Sequence, residues 1–130
     1  MLLLLPLLLA GCLESEDTRT ISMDEGGANQ PYPANYRREL LAFMKTYLNN
    51  PVGVHDAALA EPVLRTVGGR PRYITCLRFA SRQSDGSYRA PRDRAVVYVN
   101  GRLDRILENP SDLCAGAVYA AFPELEKLTQ

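Results

Sequence analysis

The chain has 130 residues, 15 basic and 15 acidic side chains, 46% hydrophobic and 23% charged residues. Those values exclude wholesale disorder, a collagen-like repeat, a supercharged nucleic-acid tail and a multi-span membrane protein, and the length suits one ordinary domain. With three Cys, one His and no Trp, a site built from several His or Cys ligands is nearly excluded, so no metal or cofactor is expected.

The N-terminus sets the expected compartment. Met1–Cys12 reads M-L-L-L-L-P-L-L-L-A-G-C. Leu2–Leu9 is apolar but far short of the ~20 residues that a spanning helix needs. It has the character of a secretory signal's apolar region followed by small residues. Leu9-Ala10-Gly11-Cys12 resembles the bacterial lipobox. That resemblance implies removal of residues 1–11, diacylation of the Cys12 sulfur and acylation of the new amino terminus. One acyl chain holds a protein marginally, whereas two or more hold it durably. The expectation is a protein on a membrane surface in the bacterial cell envelope, facing the periplasm. In enterobacteria, an Asp after the lipidated Cys retains the protein in the inner membrane. Leu13 stands there in this chain, which by analogy points to the outer membrane.

Residues 12–35 then read as a flexible acidic tether. Glu14, Glu16, Asp17, Asp24 and Glu25 are opposed by one Arg, Gly26-Gly27, Pro31 and Pro33 break any periodicity, and large apolar residues are few. About 23 such residues span on the order of 25 Å. A single domain is expected over residues 36–130.

Asn35–Asn50 is the clearest helix. Tyr36, Leu40, Leu41, Phe43, Met44, Tyr47 and Leu48 form an apolar stripe, with Asn35 as N-cap candidate and Asn49-Asn50-Pro51 as a stop. Four strands follow. Ala57–Val67 is weak, and Pro62 marks an edge or bulge. Arg72–Ser81 and Arg94–Val99 are rich in strand formers. Arg102–Leu107 follows Asn100-Gly101, a strong hairpin signal. Asn109–Gln130 reads as a covering segment, with a short helix over Pro123–Leu128. The expected fold class is α+β: one amphipathic helix packed on a four-stranded antiparallel meander, with a C-terminal covering segment.

With Cys12 lipidated, Cys76 and Cys114 remain, and two thiols in an exported domain read best as one disulfide. It would close a loop of roughly 39 residues, worth about 4 kcal/mol in chain entropy. A redox or catalytic thiol is disfavoured, since no Cys-x-x-Cys exists and His55 is the sole His partner.

Ten Arg fall between Arg65 and Arg105, with no Lys, opposed only by Asp85, Asp93 and Asp104. Arg70, Arg72, Arg78 and Arg82 share parity, so a regular strand would place them on one face. Guanidinium groups suit bidentate contact with phosphate or carboxylate. Anionic lipid head groups, lipopolysaccharide phosphates or an acidic envelope protein are the expected ligands; nucleic acid is not. The competing reading is an ordinary solvated Arg-rich sheet.

Catalytic signatures are wanting. There is no G-x-S-x-G, H-E-x-x-H or phosphate loop, and His55-Asp56 alone lacks a nucleophile. No catalytic residue is assigned and no enzymatic activity is expected.

Tyr32-Pro33-Ala34-Asn35-Tyr36, Leu64-Arg65-Thr66-Val67-Gly68-Gly69-Arg70 and Phe122-Pro123-Glu124-Leu125 carry a resemblance. Together with Cys76 and Cys114, they make Tyr32–Gln130 similar to small alphaproteobacterial lipoproteins of unknown function. The resemblance implies no activity and no ligand. The leading expectation is a non-catalytic binding or assembly role in the envelope. The alternative is an inhibitor-type module that binds one exported protein through the Arg-rich sheet.

Overall fold

The computed structural model describes residues 29–48 and 53–128. The lipobox, Cys12, most of the tether and the Asn49-Asn50-Pro51 stop lie outside them. The elements run α1 (Tyr36–Tyr47), β1 (His55–Leu59), β2 (Val63–Val67), β3 (Arg70–Ala80), β4 (Arg92–Val99) and β5 (Arg102–Leu107). A 3-10 turn (Ser111–Cys114), β6 (Ala120–Ala121) and α2 (Pro123–Leu128) complete the chain.

The class is α+β, and every strand pairing is antiparallel. The expected four strands are corrected to six, in the order β5-β4-β3-β1-β6 with β2 beside β3. Part of the difference lies at Glu61-Pro62. The predicted strand Ala57–Val67 is two strands on one flank of β3. β2 pairs the first half, from Val63↔Ile74 to Val67↔Arg70, and β1 pairs the second, with Leu59↔Leu77 and Ala58↔Arg78. Ala60 N–H still reaches the Cys76 carbonyl at 2.9 Å. Pro62 has no N–H to offer, so the ladder breaks there. The rest of the difference is β6, whose two alanines pair Ala58 and Leu59 on the far side of β1. The β2–β3–β4–β5 run is a meander; β1 and β6 extend it.

Two tight turns set the register. Gly68-Gly69 have φ of 59° and 80°, and Asn100-Gly101 have 53° and 79°. Consecutive left-handed residues make a type I′ turn, whose twist matches that of the flanking strands. A Cβ at Gly101 would stand 3.4 Å from Pro31 Cγ, so the turn lies against the segment before α1.

That contact belongs to a segment read as tether. Gln30 Oε1 accepts the Asn100 N–H at 2.8 Å, Pro33 is fully buried, and the Tyr32 ring stands edge-on to Tyr73 at 5.4 Å. Gln30–Asn35 therefore packs on the sheet, with two prolines and a tyrosine over the hairpin end.

α1 covers one face of the sheet. Asn35 occupies the cap position without a side-chain cap bond. Glu39, a turn later, spans the gap to β5 and accepts the Leu103 N–H at 2.7 Å. α2 closes the same face as expected: Leu125 is buried and Glu126 Oε1 accepts the Ala57 N–H at 3.0 Å. Between helices and sheet lie Leu40, Met44, Leu77, Phe79, Val96, Tyr98 and Phe122.

The opposite face carries a smaller cluster: Ala60, Ile74, Cys76, Ala95, Val97 and Cys114. No helix covers it among the described residues. The segment after β5 crosses it and is held by the Cys76–Cys114 disulfide, with Cα atoms 5.7 Å apart. The expected pairing of these two cysteines is present.

Candidate functional site

The residue sizes on the bridged face explain its cavity. Ala60, Cys76 and Ala95 leave the sheet surface low. The covering segment touches it at Cys114, turns through Gly116 at φ 74°, and rejoins the sheet at β6. Between that arm and β2 lies a groove of about 390 Å³. Ala60, Val63, Leu113, Ala117 and Val118 form much of its apolar wall, with Glu61 and Arg65 as the charged lining. Val118 is 85% exposed, an unusual position for a β-branched apolar side chain.

β2 supplies the groove's second property. Val67↔Arg70 closes a two-residue hairpin, so Val67, and by alternation Arg65 and Val63, direct their backbone groups to β3. Leu64 and Thr66 direct theirs outward. Arg65 Nη1 donates to the Leu64 carbonyl at 3.0 Å, which shields part of this open edge.

The four arginines singled out by parity divide into separate environments. Arg70, Arg72 and Arg78 alternate on the bridged face of β3, but Ile74 and Cys76 stand between the last two. Arg72 and Arg78 are thus about 20 Å apart along the strand. Arg72 is buried and donates to the Pro71 carbonyl at 2.8 Å. Arg78 Nε donates to Asp93 at 2.7 Å while its guanidinium lies 4.2 Å from the Tyr119 ring centre. Arg70 is exposed at the hairpin, and Arg82, past the end of β3, pairs by backbone with Tyr88. A hydrogen bond from Arg78 is the main cause holding the Asp93 carboxyl below its ordinary range. Burial, then Asp93, pushes the Tyr119 phenol up to about 12.

A different arginine group was not singled out by that parity. Arg92 and Arg94 share the side of β4 that carries the core residues Val96 and Tyr98. The Arg94 guanidinium carbon lies over the Phe79 ring, 3.8 Å from its centre, and Nε donates to Glu108 Oε2 at 2.9 Å. Arg92 Nη2 donates to the same oxygen at 2.9 Å. Burial lowers the Arg94 guanidinium to about 10 and raises the Glu108 carboxyl. The sequence signal was available: Arg92 and Arg94 continue the inward parity of Val96 and Tyr98.

His55 is exposed at the start of β1 and stacks on Tyr88, ring centres 3.9 Å apart. Cys76, engaged in the disulfide, offers no thiol. No group of three metal-ligating side chains exists among the described residues, and none of their helices is long and apolar enough to cross a membrane. The chain finds no match among protein-family models, curated proteins or solved structures.

Proposed function

We propose that this chain is a lipid-anchored bacterial envelope protein. It faces the periplasm from the outer membrane, and it works by binding in envelope structure or assembly rather than by catalysis. The observation that carries the reading is the Cys76–Cys114 disulfide. Such bridges persist in oxidising compartments, and the lipobox-like Leu9-Ala10-Gly11-Cys12 is the export and acylation signal that would bring the domain there. The groove and the open edge of β2 supply the binding surface. Its occupant is an extended segment of an envelope protein that adds a strand at Leu64 and Thr66 and sets small apolar side chains against Val63 and Ala117. An acidic residue of that segment would draw Arg65 away from the Leu64 carbonyl.

Palmitate labelling of the native chain, with intact mass before and after reduction, tests the reading. The expected result is a chain beginning at Cys12, acylated, gaining two mass units on reduction. Cys12→Ala should abolish labelling. An unlabelled full-length chain in the cytosol would overturn anchor and compartment together.

A further inference from the structure

At the β3–β4 end of the helix-covered face, Arg89, Arg92 and Arg94 line a cavity of about 90 Å³ with Phe79 and Ser81. We propose that this cavity is a binding site for a phosphate group. The site is distinct from the groove and does not depend on the lipid anchor.

Three observations carry it. The first is a locked donor. Arg94 has only 9% of its side chain exposed, its Nε is held by Glu108, and Nη1 donates to the carbonyls of Phe79 at 3.5 Å and Arg92 at 3.3 Å. The Phe79 ring supports the guanidinium from one side, 3.8 Å from its carbon. Arg94 Nη2 has no hydrogen-bond partner among the described residues and is not among their fully buried unpartnered atoms, so a preorganised, solvent-reachable donor remains available.

The second is charge. Three guanidiniums meet one carboxylate, and a single oxygen of Glu108 serves both Arg92 and Arg94. The side chain of Arg89 has no ion-pair partner among the described residues. The net excess of two positive charges matches a phosphomonoester, which carries about −1.5 to −2 at neutral pH.

The third is size. A volume of about 90 Å³ equals about three waters, room for one tetrahedral anion rather than a sugar or an acyl chain. The Arg89 N–H donates to the Ser81 carbonyl at 3.3 Å, so the loop that carries the third arginine is tied to the end of β3.

Free phosphate and the phosphate of a lipid head group share this chemistry, and titration separates them. Inorganic phosphate is titrated calorimetrically into the full chain in detergent at low ionic strength. Vesicles containing phosphatidic acid, whose head group is a phosphomonoester, are compared with phosphatidylcholine vesicles in parallel. Arg89→Ala, at an exposed loop position, is expected to weaken phosphate binding about tenfold, the loss of one charge-assisted bond. Arg70→Ala, on the opposite face, should leave it unchanged. Glu108→Gln should tighten it by removing the resident negative charge. An equal drop in vesicle binding with Arg89→Ala assigns the ligand to a head group; a drop confined to inorganic phosphate assigns it to a soluble one. No binding at millimolar phosphate, or equal losses from Arg89→Ala and Arg70→Ala, overturns the site.

Discussion

On the helix-covered face of the sheet, Leu40, Met44, Phe79, Tyr98 and Phe122 are fully buried against one another. On the bridged face the buried residues are Ala60, Ile74, Cys76, Ala95, Val97 and Cys114, and a groove of about 390 Å³ stays open beside them. α1 supplies Leu40 and Met44 to the first face, the sheet supplies Phe79 and Tyr98, and Phe122 stands between β6 and α2. The second is covered by a segment with one short 3-10 turn, too little apolar surface to hold itself down. Large buried side chains each contribute roughly 1.5–3 kcal/mol. A layer that lacks them needs another restraint, and the disulfide provides it. The consequence is geometric: a covering held at one covalent point leaves an open groove at its flank, whereas a packed helix does not.

The largest expected effect breaks the packed side. Phe122 sits where β6 meets α2, is fully buried, and donates its N–H to the Ala57 carbonyl at 2.8 Å. Phe122→Ala should cost about 3–5 kcal/mol in denaturant titration. A loss under about 1 kcal/mol would mean that the helix-covered face is not the principal core.

Breaking the bridged side should cost less and act locally. The disulfide closes a separation of 38 residues, and its removal by the paired Cys76→Ala and Cys114→Ala changes should cost roughly 2–4 kcal/mol. Hydrogen exchange should accelerate between the 3-10 turn and β6 while the β3–β4 ladder remains protected, since β4 and α1 do not depend on the bridge. Uniform acceleration across both faces would erase the distinction between them.

What the sequence disclosed follows the same division. α1, β3, β5 and α2 were legible because each is local: an apolar stripe, a run of Tyr, Ile, Thr and Phe, an Asn-Gly turn, a proline at a helix start. The disulfide was legible by counting once Cys12 is assigned to the lipobox-like motif, which leaves Cys76 and Cys114 to pair. β6 was not, because Ala120-Ala121 has no strand signal and pairs through contacts about sixty residues away. The packing of Gln30–Asn35 was hidden likewise, since its polar and proline-rich composition reads as linker until Asn100 and Tyr73 are seen beside it. Of the site, parity placed Arg70, Arg72 and Arg78 on one face but could not show that Asp93 and Tyr119 already engage Arg78. The Arg89–Arg92–Arg94 cavity needs the β3–β4 loop to fold back over Phe79, which no local pattern encodes.

The smallest effect sharpens the comparison at the edge of the bridged face. Arg78 is gripped between Asp93 and the Tyr119 ring, yet the two ionic side chains remain 43% and 35% exposed. Solvent screens such a pair, so Asp93→Asn should cost only about 0.5–1 kcal/mol at neutral pH. The sign with pH is fixed by the Asp93 carboxyl, which the fold holds below its ordinary value. Its contribution is fully present above the unfolded value near 3.9 and is lost as pH falls through the lower folded value. Wild type and Asp93→Asn should therefore differ in thermal melts at pH ~6 and converge near pH ~2. High salt should shrink the neutral-pH gap. A gap that persists at low pH would instead assign Asp93 a packing role, and the bridged face would then rest on side-chain packing more than its small residues suggest.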